Sequence, residues 1–330
     1  MSELNRCLAL ATIAILVTST SVGSISAVAA RPDYSIQIES AVSCLVRNYN
    51  SSIGLIHESP GSATLRNTYW LYSDNYLANI VLGESDAGNE TEERIEANIT
   101  STMNRYLADS PPPVNQYLAL GTMSTPFDYS HDYALTTLKG ATIKITLNNW
   151  FGGMNWLKFA DVAFLEATAF YNRGDYSLAR QSWSKGQAMW DGKGFNDLAF
   201  EFSPSGQQYQ TYKLALYVYS SLLLNETFNE DALNQLLAMQ AKSGFRTGCF
   251  FTGYSPDMQI NSDVNTETTS LAVLALDLAS YGTTPAPSPV RVSSPVWPDP
   301  SDLPFWVSFA VAILLVAGFA SYSLIKRVRR

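Results

Sequence analysis

Residues 236–276 read LLAMQAKSGFRTGCFFTGYSPDMQINSDVNTETTSLAVLAL. The stretch holds the end of an apolar helix, a glycine-broken loop with short extended pieces, a polar helix start and a second apolar helix. Two other segments repeat the polar start and apolar run when aligned on a shared Leu-Ala pair. Tyr72-Ser-Asp-Asn-Tyr-Leu77-Ala78 and Tyr209-Gln-Thr-Tyr-Lys-Leu214-Ala215 match Thr266-Glu-Thr-Thr-Ser-Leu271-Ala272. Upstream of each Leu, by 20 to 27 residues, stands a glycine followed by a large apolar residue: Gly54-Leu55, Gly194-Phe195 and Gly244-Phe245. A unit of helix, Gly loop, polar helix start and apolar helix that recurs three times predicts an array of helical hairpins.

Helical periodicity extends the pattern, predicting helices over 35–49, 90–107, 156–171, 176–190, 209–224, 230–241 and 266–279. One segment breaks it: Ala141-Thr-Ile-Lys-Ile-Thr-Leu147 alternates in period two behind a Lys139-Gly140 turn, the signature of a β-hairpin set as an excursion at one end of the array.

The stretch 236–276 resembles the repeats of α/α toroids, the fold shared by terpenoid cyclases, protein prenyltransferases and six-hairpin glycosidases, and NTYWLYSDNYLANIVL at 67–82 is similar to an inner helix of such a ring. The resemblance covers much of 54–279 and rests on repeat texture. It implies a mainly α fold, a toroid or open arc of about four to six helical hairpins, with ligands bound near the starts of the inner helices. A closing ring also makes the first and last hairpins neighbours, which brings Cys44 and Cys249 together.

The two ends of the chain specify an address. Leu8 to Val17 form a short apolar core after Arg6 and lead to Ser26-Ala-Val-Ala-Ala30, the layout of a secretory signal over 1–30; an uncleaved anchor is the alternative. Residues 31–282 form the exported domain. Residues 283–304 carry seven prolines and read as an extended stalk. Residues 305–325 are apolar enough for a transmembrane helix, and the basic tail 326–330 places the C-terminus in the cytoplasm. Membrane lipid is thus one expected partner. Retention of the C-terminal helix and its removal by a sorting enzyme both remain open.

Net charge is −8, and the basic residues do not cluster outside the tail, so nucleic acid is excluded as a partner. A hydrophobic content of 46% with 12% aromatics is that of a folded core. In an oxidising compartment Cys44 and Cys249 read as one disulfide, two buried thiols being the alternative. Asn50, Asn89, Asn98 and Asn225 begin Asn-X-Ser/Thr triplets, candidate glycosylation sites.

Chemistry is narrowed by exclusion. The sequence has no GxSxG elbow, phosphate-binding loop or dinucleotide fingerprint, and its two histidines, His57 and His131, do not make a zinc spacing. No cofactor and no metal is implied. The alternating oxygens of Asn261, Asp263, Asn265 and Glu267 suit calcium less well than a solvated loop ending in a helix cap.

Glycoside cleavage needs two carboxyl groups, about 5 Å apart for retention and ~6.5–9.5 Å for inversion. Asp74 and Glu267, at the polar starts of two equivalent helices, are the expected acid and base, with Glu58, Asp161, Glu166, Asp197 and Glu201 in reserve. The structural alternative is that acids in a first helical turn merely complement backbone N–H groups. Trp70, Tyr72, Trp156, Tyr209, Tyr212 and Tyr254 are the candidate sugar platforms, set against an ordinary core role. The expectation is a surface protein that processes carbohydrate; the alternatives are a glycan- or protein-binding module and a structural component of the cell envelope.

Overall fold

The structure, a computed structural model, describes residues 32–60, 70–84, 89–107, 120, 132–147, 158–201 and 207–281. The signal 1–30, the stalk 283–304, the apolar segment 305–325, the tail 326–330 and Trp156 lie outside them. Among the described residues no helix is long and apolar enough to cross a membrane.

Two kinds of helix alternate. Helices α1 (Ser35–Arg47), α3 (Glu90–Leu107), α5 (Tyr176–Gln187) and α8 (Glu230–Ala238) each bury one stripe, such as Ala41, Val42 and Leu45 on α1 or Ile95, Ile99 and Met103 on α3. One apolar stripe and one charged face make a helix of the outer layer. Helices α2 (Tyr72–Glu84), α4 (Ala160–Asn172), α7 (Thr211–Leu224) and α9 (Thr266–Tyr281) are instead buried around most of their circumference, with α2 enclosed from Asp74 to Leu82. They form the inner layer, and the short α6 (Leu198–Glu201) precedes α7.

The inner helices pack in the order α4, α7, α9, α2. Outer helices back them as α5 on α4, α8 on α7, α3 on α2 and, closing the chain on itself, α1 on α9. The described residues therefore contain four outer–inner pairs of a helical-hairpin repeat. Pairing of the first outer with the last inner helix brings Cys44 to Cys249, and the two form a disulfide with Cα atoms 5.5 Å apart. At the far end of the same contact the Tyr34 N–H donates to Ser280 Oγ at 3.2 Å.

The Gly loops are short antiparallel hairpins that follow outer helices. After α1, β1 (Tyr49–Asn50) pairs with β2 (Leu55–Ile56); after α5, Trp190 bridges Phe195; after α8, Gln240 bridges Phe250. One hydrogen bond shows that the repeat is physical. Asn75 Oδ1 accepts from the Ile56 N–H at 2.7 Å, and Thr269 Oγ1, at the equivalent place before the Leu-Ala pair, accepts from the Phe250 N–H at 3.0 Å; both partners lie 19 residues upstream. Before α7 and α9, β6 (Tyr209–Gln210) pairs with β7 (Gly253–Tyr254). Close approach of the last loop to α1 requires glycine at 248: its φ is +88°, and a Cβ there would lie 1.9 Å from the Ser40 carbonyl oxygen.

The expected hairpin is present as β4 (Asp132–Leu138) and β5 (Ala141–Leu147), joined by Lys139 and Gly140 with φ of 48° and 84°. Two successive positive φ values give the tight turn whose twist matches the strands. It is not a free excursion. Strand β3 (Trp70–Leu71), directly before α2, adds to β5 in parallel, with Trp70 opposite Ile143 and Leu71 opposite Lys144.

Candidate functional site

The site is built at the starts of α2 and α9, and residues 55–59 are the wedge between them. On the α2 side, Asn75 is wholly buried; its Nδ2 donates to the Ile56 and Leu71 carbonyls at 3.1 and 2.9 Å while its Oδ1 receives the Ile56 N–H. On the α9 side, Thr266 donates its N–H to the Glu58 carbonyl at 2.8 Å and its hydroxyl to the His57 carbonyl at 2.5 Å, and Ser59 Oγ donates to the Val264 carbonyl at 2.9 Å. The His57 ring lies 4.1 Å from the Trp70 ring, centroid to centroid. Glu58 is thereby held beside the first turns of both helices.

Asp74 and Glu267, the expected pair, do come together, and Glu58 joins them. Asp74 is 0% exposed. Burial, followed by the charges of Glu267 and Glu58, holds its carboxyl well above the usual range, against the smaller opposing effects of the Ser73 hydroxyl and the Glu267 backbone N–H. The Ser73 hydroxyl donates to Oδ1 at 3.2 Å, whereas Oδ2 has no hydrogen-bond partner. Glu58 is half-buried, and burial raises its carboxyl while the Lys144 ammonium lowers it. Lys144 arrives opposite Leu71 through the β3–β5 pairing. Glu267 is half-buried as well. The result is one enclosed acid with two half-buried glutamates beside it.

Of the aromatic candidates, Trp70, Tyr72, Tyr209 and Tyr254 are core residues. Tyr209 stacks on Phe200 at 4.5 Å and donates to Asp191 at 2.5 Å; Tyr254 donates to the Lys193 carbonyl at 2.8 Å. Rings enclosed in this way do not offer a face to a sugar. Tyr212 is half-buried and donates to Asp161 Oδ2 at 3.2 Å.

The reserve acids separate by environment. Asp197 caps α6, receiving the N–H groups of Ala160, Ala199 and Phe200 at 2.9, 3.1 and 3.2 Å, and it pairs with the buried Lys213 at 2.5 Å. Asp161 stands 3.9 Å from the same ammonium; burial raises its carboxyl against the pull of Lys213. These groups pin α4, α6 and α7 together. Glu166 receives the Ser182 hydroxyl at 2.6 Å, tying α4 to α5, and Glu201 is exposed at the end of α6. The oxygen-rich run before α9 is engaged by protein: Asn261 with Gln208, Asp263 with Arg246, and Asn265 as a cap receiving the Thr268 N–H at 2.8 Å. Among the described residues no group of three or more His, Cys, Asp or Glu side chains is placed to hold a metal ion.

Sequence reasoning missed a second acidic pair at the opposite end of the inner helices. Glu84, the last residue of α2, is an exposed residue overall, yet desolvation by the groups packed round its carboxyl and the charge of Asp277 of α9 push it up to about 7. The available signal was an acid at a helix C-terminus, where the backbone dipole disfavours negative charge. Asn89, Asn98 and Asn225 are exposed, while Asn50 turns its Oδ1 to the Ser52 N–H at 2.9 Å.

No protein family, curated protein or solved structure matches the chain.

Proposed function

We propose that the protein is an exported, membrane-anchored hydrolase of carbohydrate, its helical hairpins arranged as in an α/α toroid, with Glu58 and Glu267 as the acid and base. The supporting observation is that two half-buried glutamates, one from a loop and one from the start of α9, flank a third carboxyl that is fully buried. Full burial removes Asp74 from direct contact with substrate, so the role first expected of it passes to Glu58. A glycosidic oxygen needs a proton as it leaves, and the raised carboxyl of Glu58 is suited to supply it. Lys144 then stabilises the carboxylate left behind. Glu267 serves as base toward water or as nucleophile, according to the separation at which the sugar is held. The C-terminal segment 305–325 anchors this domain outside the cell with its basic tail in the cytoplasm.

The test is release of new reducing ends from a panel of neutral, amino and acidic polysaccharides by the full chain. Glu58→Gln and Glu267→Gln should each abolish release while the fold persists. Absence of release from every glycan, or unaffected variants, refutes the reading.

A further inference from the structure

We infer that Asp74 is a carboxylic acid, not a carboxylate, at neutral pH, and that its O–H, carried on Oδ2, is donated to Glu267, making Asp74 a positioning residue for that side chain. The protein supplies its own comparison. Asp197 is nearly as enclosed as Asp74, at 5% against 0% exposure, but three backbone N–H groups and the Lys213 ammonium converge on it. Those are the partners that a buried negative charge requires. Asp74 has the Ser73 hydroxyl on Oδ1, a single backbone N–H from Glu267, no cation and nothing on Oδ2.

The surrounding charges deepen the contrast. Facing Asp74 are Glu267 from α9 and Glu58 from the wedge, with Ser73 beside it on its own helix. Lys144 of β5 bears on Glu58, and His57 is turned to Trp70. An ionised Asp74 would place a buried negative charge beside these two carboxyls without solvent or a cation of its own. Protonation resolves both difficulties: it removes the charge and turns the unpartnered oxygen into a donor with carboxyl acceptors in its neighbourhood. Of the two glutamates, Glu267 stands in the first turn of the helix whose backbone N–H is directed at this same carboxyl, and it is the acceptor we assign.

The positioning role rests on the assignment of Glu267 as base in the proposed reaction; the protonation state does not. The experiment is infrared difference spectroscopy of the full chain at neutral pH, comparing wild type with Asp74→Asn. A protonated-carboxyl C=O band should be present in the wild type and lost in the variant, and wild-type Tm should fall more steeply than the variant's as pH rises from about 4 toward neutrality. No protonated-carboxyl band, or one that persists in Asp74→Asn, overturns the inference. Asparagine preserves shape and a donor, so the comparison does not depend on tolerance of a truncation. Where a hydrolysed glycan is in hand, Asp74→Ala should raise the lower pKa of the rate profile, because Glu267 loses its donor, and Asp74→Asn should move it much less. Equal shifts in the two variants remove the positioning role. The infrared result is read without substrate, so it can stand when the hydrolase reading falls, or fall while hydrolysis stands.

Discussion

Removing the Cys44–Cys249 disulfide, by Cys44→Ala with Cys249→Ala, should cost the folded protein about 5 kcal/mol. The figure follows from where the bond lies in the chain. It spans 205 residues, most of the folded domain, and the chain-entropy cost of closing a loop of that length in the unfolded state is about 18 cal/mol/K, or ~5 kcal/mol at room temperature. Both cysteines are 1% exposed and pack with Ala241 and Val264, while Asn48 Nδ2 faces both sulfurs at 3.5 and 3.7 Å. Alanine leaves that amide short of partners, which adds to the loss. For a domain of roughly 250 residues, a loss of this size lowers Tm by about 10–20 °C. The assay is paired urea unfolding of oxidised wild type and the double variant, followed by far-ultraviolet circular dichroism. The variant's m-value should rise as well, because an uncrosslinked unfolded chain exposes more surface. A loss below about 1 kcal/mol would refute the reasoning, since it would mean that α1 and the α8–α9 loop are not joined in the native state or that the unfolded chain keeps them together.

Three further outcomes test other parts of the molecule. Lys213→Met should destabilise by about 3–5 kcal/mol, measured by chemical denaturation, because it strands Asp161 and Asp197 as buried acids; with Asp161→Leu added, part of the loss should return. Asn75→Ala removes three hydrogen bonds to the wedge and the start of α2, and should cost about 3 kcal/mol and reduce any glycan turnover through Glu58 before the fold is lost. Glu84 binds its proton more tightly when folded than when unfolded, so its contribution is present at low pH and is lost as pH rises between about 4.3 and about 7; Glu84→Gln should flatten the Tm–pH curve across that window.

What the sequence disclosed and what it withheld follow from the range of the interactions. The helices were legible because an apolar face at helical spacing is a local pattern, and α3 begins and ends at the residues expected, 90 and 107; which of them are inner was not, because burial on all sides depends on neighbours distant in sequence. The hairpin was legible because Lys139-Gly140 is a local turn signal. Its attachment to α2 was not, because the two-residue strand β3 is too short to carry a pattern and is defined only by its partner. The repeat alignment placed Asp74 and Glu267 at equivalent helix starts, and that was enough to bring them together. It did not reveal that Asn75 and Thr266 grip residues 56–58 from two sides, since both bonds join segments distant in sequence. The aromatic candidates were chosen by type and by nearness to loops, and neither property separates a ring that seals a core from one that faces solvent.

The parallel inner helices give the domain a polarity that explains why its two acidic groups differ. At the starts of α2 and α9 the helix dipoles favour negative charge, and there the half-buried Glu58 and Glu267 stand. At the other ends the dipoles oppose it, and no inner helix carries a basic residue in its last turn to compensate. Glu84 stands there at the end of α2 with Asp277 as its neighbour; desolvation, that charge and the dipole all act in one direction, and its carboxyl rises to about 7. Asp74 is the exception on the favourable side. Its dipole environment would keep it ionised, but complete enclosure and two flanking carboxyls act the other way, and one long hydroxyl contact with a single backbone N–H is too little to reverse them. A helix N-terminus stabilises a carboxylate by about 1 kcal/mol, less than the cost of burying an uncompensated charge, so the balance at Asp74 falls to the neutral acid.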